Sequence, residues 1–275
     1  MTIPDAAGPS GSTSGPATGG PAVAPAADPT TGRGAWPAGG RGGTLALDGT
    51  PGGYYLYRPG STIVGSGGLA AADLDHRAVA YGVKAIQFAL RWHGSSVVAD
   101  AKYGQATATA VAAFQKTVPA PPYTDTVHPA DPAGVVGKGT AFHLFAPMAS
   151  AYALQFGVPA GVAHGIVELE SAWDPGAVGG TTPQDLGLAQ WRTPLEHDGV
   201  LMDEAAAFNP FTALRLLAQT QAAFYASLQH WALTIAAHHA PAWAQELATS
   251  AGAWTTDSPQ GKSWSYLNVV LNHVS

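Results

Sequence analysis

The strongest constraint on the fold is the composition of residues 1–53, where large apolar side chains are rare before Trp36, Leu45 and Leu47. Glycine, proline, alanine, serine and threonine fill this segment. Such a chain cannot bury enough surface to offset the entropy lost on ordering. We therefore predict a disordered Gly/Pro-rich N-terminal arm over residues 1–53, which acts as a linker or docks onto a partner.

Beyond this arm, apolar residues recur at the three- and four-residue spacing of helices. The predicted helices run from about Ala78 to before Gly94 and then over Thr107–Lys116, Thr140–Phe145, Ala149–Phe156, Ala160–Ser171, Pro210–Leu228, His230–His239 and Ala242–Gly252. Tyr54–Val64 is interpreted as a short hairpin or strand with packing tyrosines, and Gly179–Pro183 as part of an irregular lobe. The predicted fold class is mainly α.

Charge and cysteine content exclude several classes of protein. Twelve Lys and Arg against eighteen Asp and Glu give a formal net charge of −6 at pH 7, which argues against a nucleic-acid binder. The absence of cysteine excludes disulfide scaffolds and thiol nucleophiles. No segment has the run of about 18 apolar residues that a membrane span needs. The first residues lack the basic and apolar regions of a signal peptide, so we expect neither membrane insertion nor a signal peptide.

Glycine and threonine recur between the helices of residues 80–145. The chain reads VKAIQFAL, YGQATATAVAAFQK and GVVGKGTAFHL. We expect Gly104 and Gly137 to lie where a turn needs positive φ or close backbone approach, and Thr107 and Thr140 to cap the following helices. The pattern resembles the small three-helix peptidoglycan-binding domain, although Ala101 stands where that family has glycine. The resemblance implies a wall-binding domain over residues 54–145; the alternative is a three-helix spacer without a ligand.

Three carboxylates between residues 158 and 191 carry the candidate chemistry. Glu168 and Glu170 are two residues apart near the end of an apolar helix, so they point to different faces. Partial desolvation would favour a protonated Glu170, as a general acid requires, whereas Glu168 is interpreted as a solvated carboxylate. Asp185 follows a flexible turn, and Gly187 would let a sugar chain approach closely. Two carboxylates in unlike environments across a cleft can break a glycosidic bond.

The same stretch resembles the lysozyme superfamily. ESAWDPGAV at 170–178, followed by DLGLAQ at 185–190, is similar to the ES-x-F-N-P-x-A and GLMQ motifs of lytic transglycosylases. The D-x-G-x-x-Q spacing also resembles animal-type lysozymes. Phe208-Asn209-Pro210 is similar to the family's D-P-x-x-N helix start, and HHAPAW at 238–243 stands in the place of ALAAYNAGP. The resemblance implies a lysozyme-like, helical α+β catalytic domain over residues 146–275.

The resemblance also assigns roles to single residues. Glu170 matches the catalytic acid of the superfamily, and Asp185 matches the second carboxylate of its lysozyme branch. The residues expected to bind substrate are Ser171, Gln190, His238 and His239. The two histidines replace a Tyr-Asn pair of the family. Arg192 stands where many members carry Asn or Asp.

Taken together, the resemblances imply a phage peptidoglycan hydrolase, either an endolysin or a virion-associated lysozyme. It would cleave the β-1,4 bond between N-acetylmuramic acid and N-acetylglucosamine without a metal or cofactor. The alternatives are a lytic transglycosylase, which releases 1,6-anhydro products, and a non-catalytic virion or wall-binding protein with a decayed lysozyme fold. Expected partners are bacterial peptidoglycan and, through the N-terminal arm, phage tail or other virion proteins. The expected location is the virion, or the host cytoplasm followed by release to the wall.

Overall fold

The computed structural model describes residues 57, 74–119, 131–179, 184–197, 200–239 and 244. The expected N-terminal arm, most of the Tyr54–Val64 segment and nearly all of the Ala242–Gly252 helix lie outside these residues. The helices in the described ranges are α1 (Leu74–Trp92), α2 (Gln105–Gln115), α3 (Lys138–Phe156), α4 (Ala160–Ser171), α5 (Glu204–Phe208), α6 (Pro210–Leu228) and α7 (Trp231–His239). The mainly α fold class is therefore confirmed for this part of the chain.

Helix α3 contradicts one prediction about the elements. The two helices expected on either side of Pro147 form a single helix that contains the proline, and the domain boundary expected between residues 145 and 146 falls inside it. Helices α4 and α6 begin and end at the predicted residues. Helix α1 begins about one turn earlier than its apolar spacing indicated.

Side chains from neighbouring segments compensate the backbone around Pro147. Proline has no N–H, so a proline inside a helix removes one hydrogen bond and crowds the preceding turn. His93, just after α1, places its Nε2 atom 3.0 Å from the Leu144 carbonyl oxygen. His164 of α4 places its Nε2 atom 3.1 Å from the Ala146 carbonyl oxygen. These contacts give carbonyls near the proline new partners, and α3 continues.

Two glutamines hold the loops that precede α2 and α3. Gln87 donates to the Thr107 hydroxyl at 3.0 Å and accepts from the Ala101 amide at 2.9 Å. In the same way, Gln115 donates to the Thr140 hydroxyl at 2.9 Å and accepts from the Gly134 amide at 2.9 Å. The two loops are thus built on one plan, with an amide side chain at the centre of each, that of Gln87 buried and that of Gln115 half-buried.

This plan corrects the expected turn and cap residues. Gly104 and Gly137 are the N-cap residues of α2 and α3, with extended backbone and negative φ, and neither has a side chain that could cap its helix. The threonines that were expected to cap are the third helical residues and receive the glutamine amides instead. Positive φ falls earlier in each loop, at Ala101 (62°) and Gly134 (78°).

Between α4 and α6, the residues that the structure describes form five short strands. Val178–Gly179 (β1), Gln184–Leu186 (β2) and Trp191–Thr193 (β3) form an antiparallel sheet in the order β1-β2-β3. Leu195–His197 (β4) and Val200–Met202 (β5) form a separate antiparallel pair. Strands of two or three residues are too short to show an alternating pattern in the sequence, so the lobe was expected to be irregular.

Helix α3 is central to the packing of the described residues, since it lies against α1, α4 and α6. One cluster of buried apolar side chains runs from Tyr57 through the helices on both sides of α3 to Ile235 of α7. Arg77 of α1 reinforces this union with two hydrogen bonds to the Glu204 carboxylate of α5, at 2.6 and 3.0 Å. Within the described ranges, no helix has the length and apolar character needed to cross a membrane.

Tyr57 joins the segment after the arm to both sides of this core. Its backbone forms an antiparallel bridge with Val136, and its fully buried side chain donates a 2.7 Å hydrogen bond to Asp174. The phenol passes where a Cβ atom on Gly82 or Gly176 would overlap it. The expectation that tyrosines of this stretch pack in the core is confirmed for Tyr57.

Candidate active site

The last turn of α4 sends its two glutamates in different directions, as their spacing predicts. Glu168 faces α3, where its Oε1 atom is paired with the Lys138 ammonium. The side chain of Glu168 is only 13% exposed, and within the described ranges its buried Oε2 atom has no hydrogen-bond partner. The interpretation of Glu168 as a solvated carboxylate is therefore wrong. A lysine 30 residues away in sequence, brought close by helix packing, accounts for the difference.

Glu170 is held away from open solvent at the end of α4. Its side chain is 18% exposed, and its Oε1 atom lies 3.8 Å from Nε2 of His238 in α7. The helix stops directly afterwards, because Ala172 and Trp173 both adopt positive φ. Trp173 is fully buried and packs edge-on against Phe142 of α3, with ring centroids 5.2 Å apart. The chain end that carries Glu170 is therefore fixed by the core.

Ser171 fastens this end of α4 to the turn between β2 and β3. Its hydroxyl lies 2.8 Å from the Leu188 carbonyl oxygen and 3.0 Å from the Val167 carbonyl oxygen. The side chain is buried. The geometry favours a structural use of this hydroxyl, which aligns Glu170 with the turn, over the direct substrate contact expected from the sequence.

Gln190 shapes the same turn. Its backbone has positive φ, and its amide nitrogen donates to the Gly187 carbonyl at 2.9 Å and to the Ala177 carbonyl at 3.3 Å. Gly187 also has positive φ, and a Cβ atom there would overlap the Ala207 carbonyl oxygen of α5. The space beside Gly187 is thus filled by α5, so this glycine is required for packing and not for the approach of a sugar.

Asp185 lies in the middle strand of the sheet, between Gly179 of β1 and Arg192 of β3. Arg192 donates from Nε to Oδ1 of Asp185 at 3.1 Å and from Nη2 to Oδ2 at 3.5 Å. These hydrogen bonds raise the pKa of the Arg192 guanidinium. Asp185 is 25% exposed and Arg192 58% exposed, so the pair lies at the surface of the lobe. Glycine in the neighbouring strand leaves the other side of Asp185 without a bulky side chain.

His238 completes the surroundings of Glu170. Its side chain is 7% exposed, and its ring packs edge-on against Trp191 of β3 with centroids 5.6 Å apart. The Nε2 atom also lies 3.4 Å from the Ala189 carbonyl oxygen, and Nδ1 lies 3.4 Å from Nε2 of Gln221 in α6. His239 is the last residue of α7, and its side chain lies outside the part that the structure describes.

The structure brings Glu170, Ser171, Gln190 and His238 together where α4, α7 and the β2–β3 turn meet. Asp185 belongs to the same hairpin, and its carboxylate contacts Arg192; its placement opposite Glu170 across a cleft stays a prediction. Sequence reasoning missed two neighbours. The sequence marked Arg192 only as a departure from the family pattern, although its register opposite Asp185 makes it a partner. Gln221 carried no local signal, since only the packing of α6 on α7 brings it to His238.

Neither the family models nor the curated proteins that were searched help to interpret these contacts. Across the described part of the chain, no three His, Cys, Asp or Glu side chains come close enough to hold a metal ion. No protein-family model matches the chain, and a search of curated proteins finds no match either. Any function must therefore be argued from the residues and contacts described above.

Proposed function

We propose that this protein cleaves the β-1,4 bond between N-acetylmuramic acid and N-acetylglucosamine in bacterial peptidoglycan, with Glu170 as the general acid. The observation that supports the proposal best is the setting of Glu170. This carboxyl is largely buried at a rigid helix end and has one oxygen against His238. A fixed, partly desolvated carboxyl, at a helix end that Ser171 joins to the hairpin carrying a second carboxylate, is suited to glycosidic cleavage.

In the proposed reaction, Glu170 donates its proton to the oxygen of the leaving sugar while positive charge develops on the ring that remains. Asp185 supplies the second carboxylate, which stabilises that charge or bonds to the sugar carbon. The bidentate contact with Arg192 fixes the orientation of Asp185. Water then attacks the sugar carbon, displaces Asp185 where it has bonded, and gives its proton to the Glu170 carboxylate, which leaves a reducing end.

The same acid supports a second outcome. If Asp185 points away from the sugar, the 6-hydroxyl of the muramoyl residue attacks in place of water and gives a 1,6-anhydro product. The hydrogen bonds between Asp185 and Arg192 support this transglycosylase alternative, because they hold the Asp185 carboxylate against the Arg192 side chain. Mass spectrometry of the released muropeptides distinguishes the two, because the anhydro product is lighter by one water.

A non-catalytic wall-binding protein is the candidate from a different class. The pairing of His238 with Glu170 supports it, because a charged imidazole at 3.8 Å stabilises the ionised carboxylate, which cannot act as an acid. A zymogram with purified protein separates the candidates, since a binding protein leaves no cleared band.

The decisive experiment replaces the acid and compares it with its neighbour on α4. Glu170→Gln should lower the rate of muropeptide release by about 100-fold or more, the range for loss of a general acid, with an unchanged circular dichroism spectrum. Glu168→Gln is the matched control. It should lower the melting temperature by loosening the contact with Lys138, yet keep activity in the folded protein. Substantial activity in Glu170→Gln would contradict the assignment.

The proposal also covers how the protein binds the cell wall, which proteins it contacts and where it acts. The three-helix part would hold the anionic wall, because residues 54–144 carry seven basic and five acidic residues, whereas residues 147–275 carry three basic and ten acidic ones. Residues 1–53 would contact phage tail or other virion proteins. The protein would act from the virion, or from the host cytoplasm after release to the wall.

A further inference from the structure

His238 is a titratable residue whose imidazole lies beside the Glu170 carboxyl. In the described part of the chain, the groups in contact with its ring include Glu170 from α4, Gln221 from α6, and the Ala189 carbonyl with the Trp191 indole from the β2–β3 hairpin. Of these groups, Glu170 carries charge and the other three are neutral. The protonation of His238 is therefore coupled to that of Glu170.

The contacts of His238 define where its first proton sits. A carbonyl oxygen only accepts hydrogen bonds, so the Nε2 atom that faces Ala189 carries a proton. That proton also lies on the side of Glu170 Oε1, 3.8 Å away. With Nε2 protonated, a second proton at Nδ1 decides whether the ring is neutral or charged.

Gln221 is placed to accept either state at Nδ1. In the present orientation its amide nitrogen lies 3.4 Å from Nδ1 and can donate to the neutral ring. Its Oε1 atom is buried and has no hydrogen-bond partner among the described residues, which is costly in the interior of a protein. Rotation of the amide by half a turn exchanges oxygen and nitrogen, so that Oε1 would accept a proton from a charged ring. Gln221 can therefore serve either protonation state of His238.

We propose that His238 is a positioning residue that sets the upper pH limit of activity by holding Glu170 as a carboxylate when the imidazole is charged, with Gln221 stabilising that charge. The inference rests on the proposed function, since it concerns the acid of that reaction. With a charged His238, Glu170 loses its proton at a lower pH than it would beside a neutral group. The reactive acid form then persists only toward acidic pH.

The first test measures the pH dependence of muropeptide release for His238→Gln in the full chain. Glutamine offers an N–H donor but cannot become charged, so Glu170 should keep its proton to higher pH. The alkaline limb of the profile should move upward by about one pH unit. His230→Gln, which removes an exposed histidine just before α7, is the control and should leave the limb in place. An unmoved limb in His238→Gln would overturn the inference.

The second test needs no activity and separates this inference from the proposed function. The imidazole of His238 is titrated by NMR in the wild-type chain and in Glu170→Gln. Removing the carboxylate should lower the pKa of His238 by about one unit or more, since coupling between two sites is reciprocal. An unchanged pKa would refute the coupling. If the pKa falls but Glu170→Gln keeps its activity, the coupling stands and the proposed reaction fails.

Discussion

Ala101 and Gly134 hold equivalent places in the two glutamine-centred loops, and both have positive φ. For an L-residue with a side chain, this region costs roughly 1–2 kcal/mol, whereas glycine adopts it freely. The sequence marked Ala101 only as a departure from a family pattern. The structure gives that departure a physical meaning, because alanine is strained where glycine would not be.

Ala101→Gly should therefore stabilise the protein, even though glycine gains more entropy on unfolding. The relief of backbone strain exceeds that entropy by about 0.5–1 kcal/mol, measured as an increase in the free energy of unfolding in urea. Gly134→Ala is the matched opposite change. A Cβ atom there would lie 2.9 Å from the Ala108 carbonyl oxygen, so a loss of about 2–3 kcal/mol is expected. A destabilised Ala101→Gly would show that the strain is not present.

Within the candidate site, residues that are close in sequence could be predicted, whereas residues brought in by helix packing could not. Glu170 could be found from the sequence because its neighbours up to Gln190 are close in the chain and carry a pattern. Lys138 and Gln221 could not, since each reaches the site region through helix packing over long sequence separations. The burial of Glu168 is the clearest consequence, because a lysine on another helix changed a surface carboxylate into a paired one.

At the scale of elements, the positions of the helices could be predicted from the sequence, but the continuity of α3 through Pro147 could not. The apolar spacing of α4 and α6 contains enough turns to mark both ends. Pro147 predicted a break in α3 because proline usually ends a helix. The sequence could not show that His93 and His164 would supply partners to the carbonyls beside it. The strands were too short to predict at all.

The burial of the His93 ring beside α3 should make the free energy of unfolding depend on pH. Burial lowers the pKa of His93, while its hydrogen bond to Leu144 opposes that shift. The folded protein thus favours the neutral ring, so this stabilisation is complete above the unfolded value near about 6.5 and is lost as pH falls below it. His93→Gln keeps a donor but cannot titrate. It should lower stability by about 1 kcal/mol at pH 7.

Thermal unfolding of both proteins between pH 7 and pH 5 checks this expectation. The melting temperature of His93→Gln should fall less over this interval than that of the wild type. Some fall should remain, because burial also lowers the pKa of His143. Parallel curves for the two proteins would exclude a contribution from His93.

At the scale of the whole molecule, Tyr57 and α3 make the helices before and after α3 share one core in the described part of the chain. Two separate resemblances in the sequence suggested two domains joined near residue 145. The shared core depends on contacts such as Tyr57 with Asp174, which are 117 residues apart. Sequence patterns are local and do not report such contacts.

Tyr57→Phe should test this union. Asp174 is fully buried and would keep its hydrogen bond from the Gly176 amide but lose the one from Tyr57. We expect a loss of about 1.5–3 kcal/mol, as for hydrogen bonds to charged groups, in a single unfolding transition seen by calorimetry. Tyr81→Phe, whose ring stacks on Phe208, is the control and should change stability by less than about 0.5 kcal/mol. Two transitions, with one unaffected by Tyr57→Phe, would argue against a shared core.

Helix α3 also limits how this protein can be engineered. Domains can be exchanged between proteins most simply where a flexible linker joins them. A splice at residue 145 would cut this helix in its middle turns and divide the contacts that its two ends make with α1 and α6. A productive hybrid would need to inherit α3 whole, together with the histidines beside its proline.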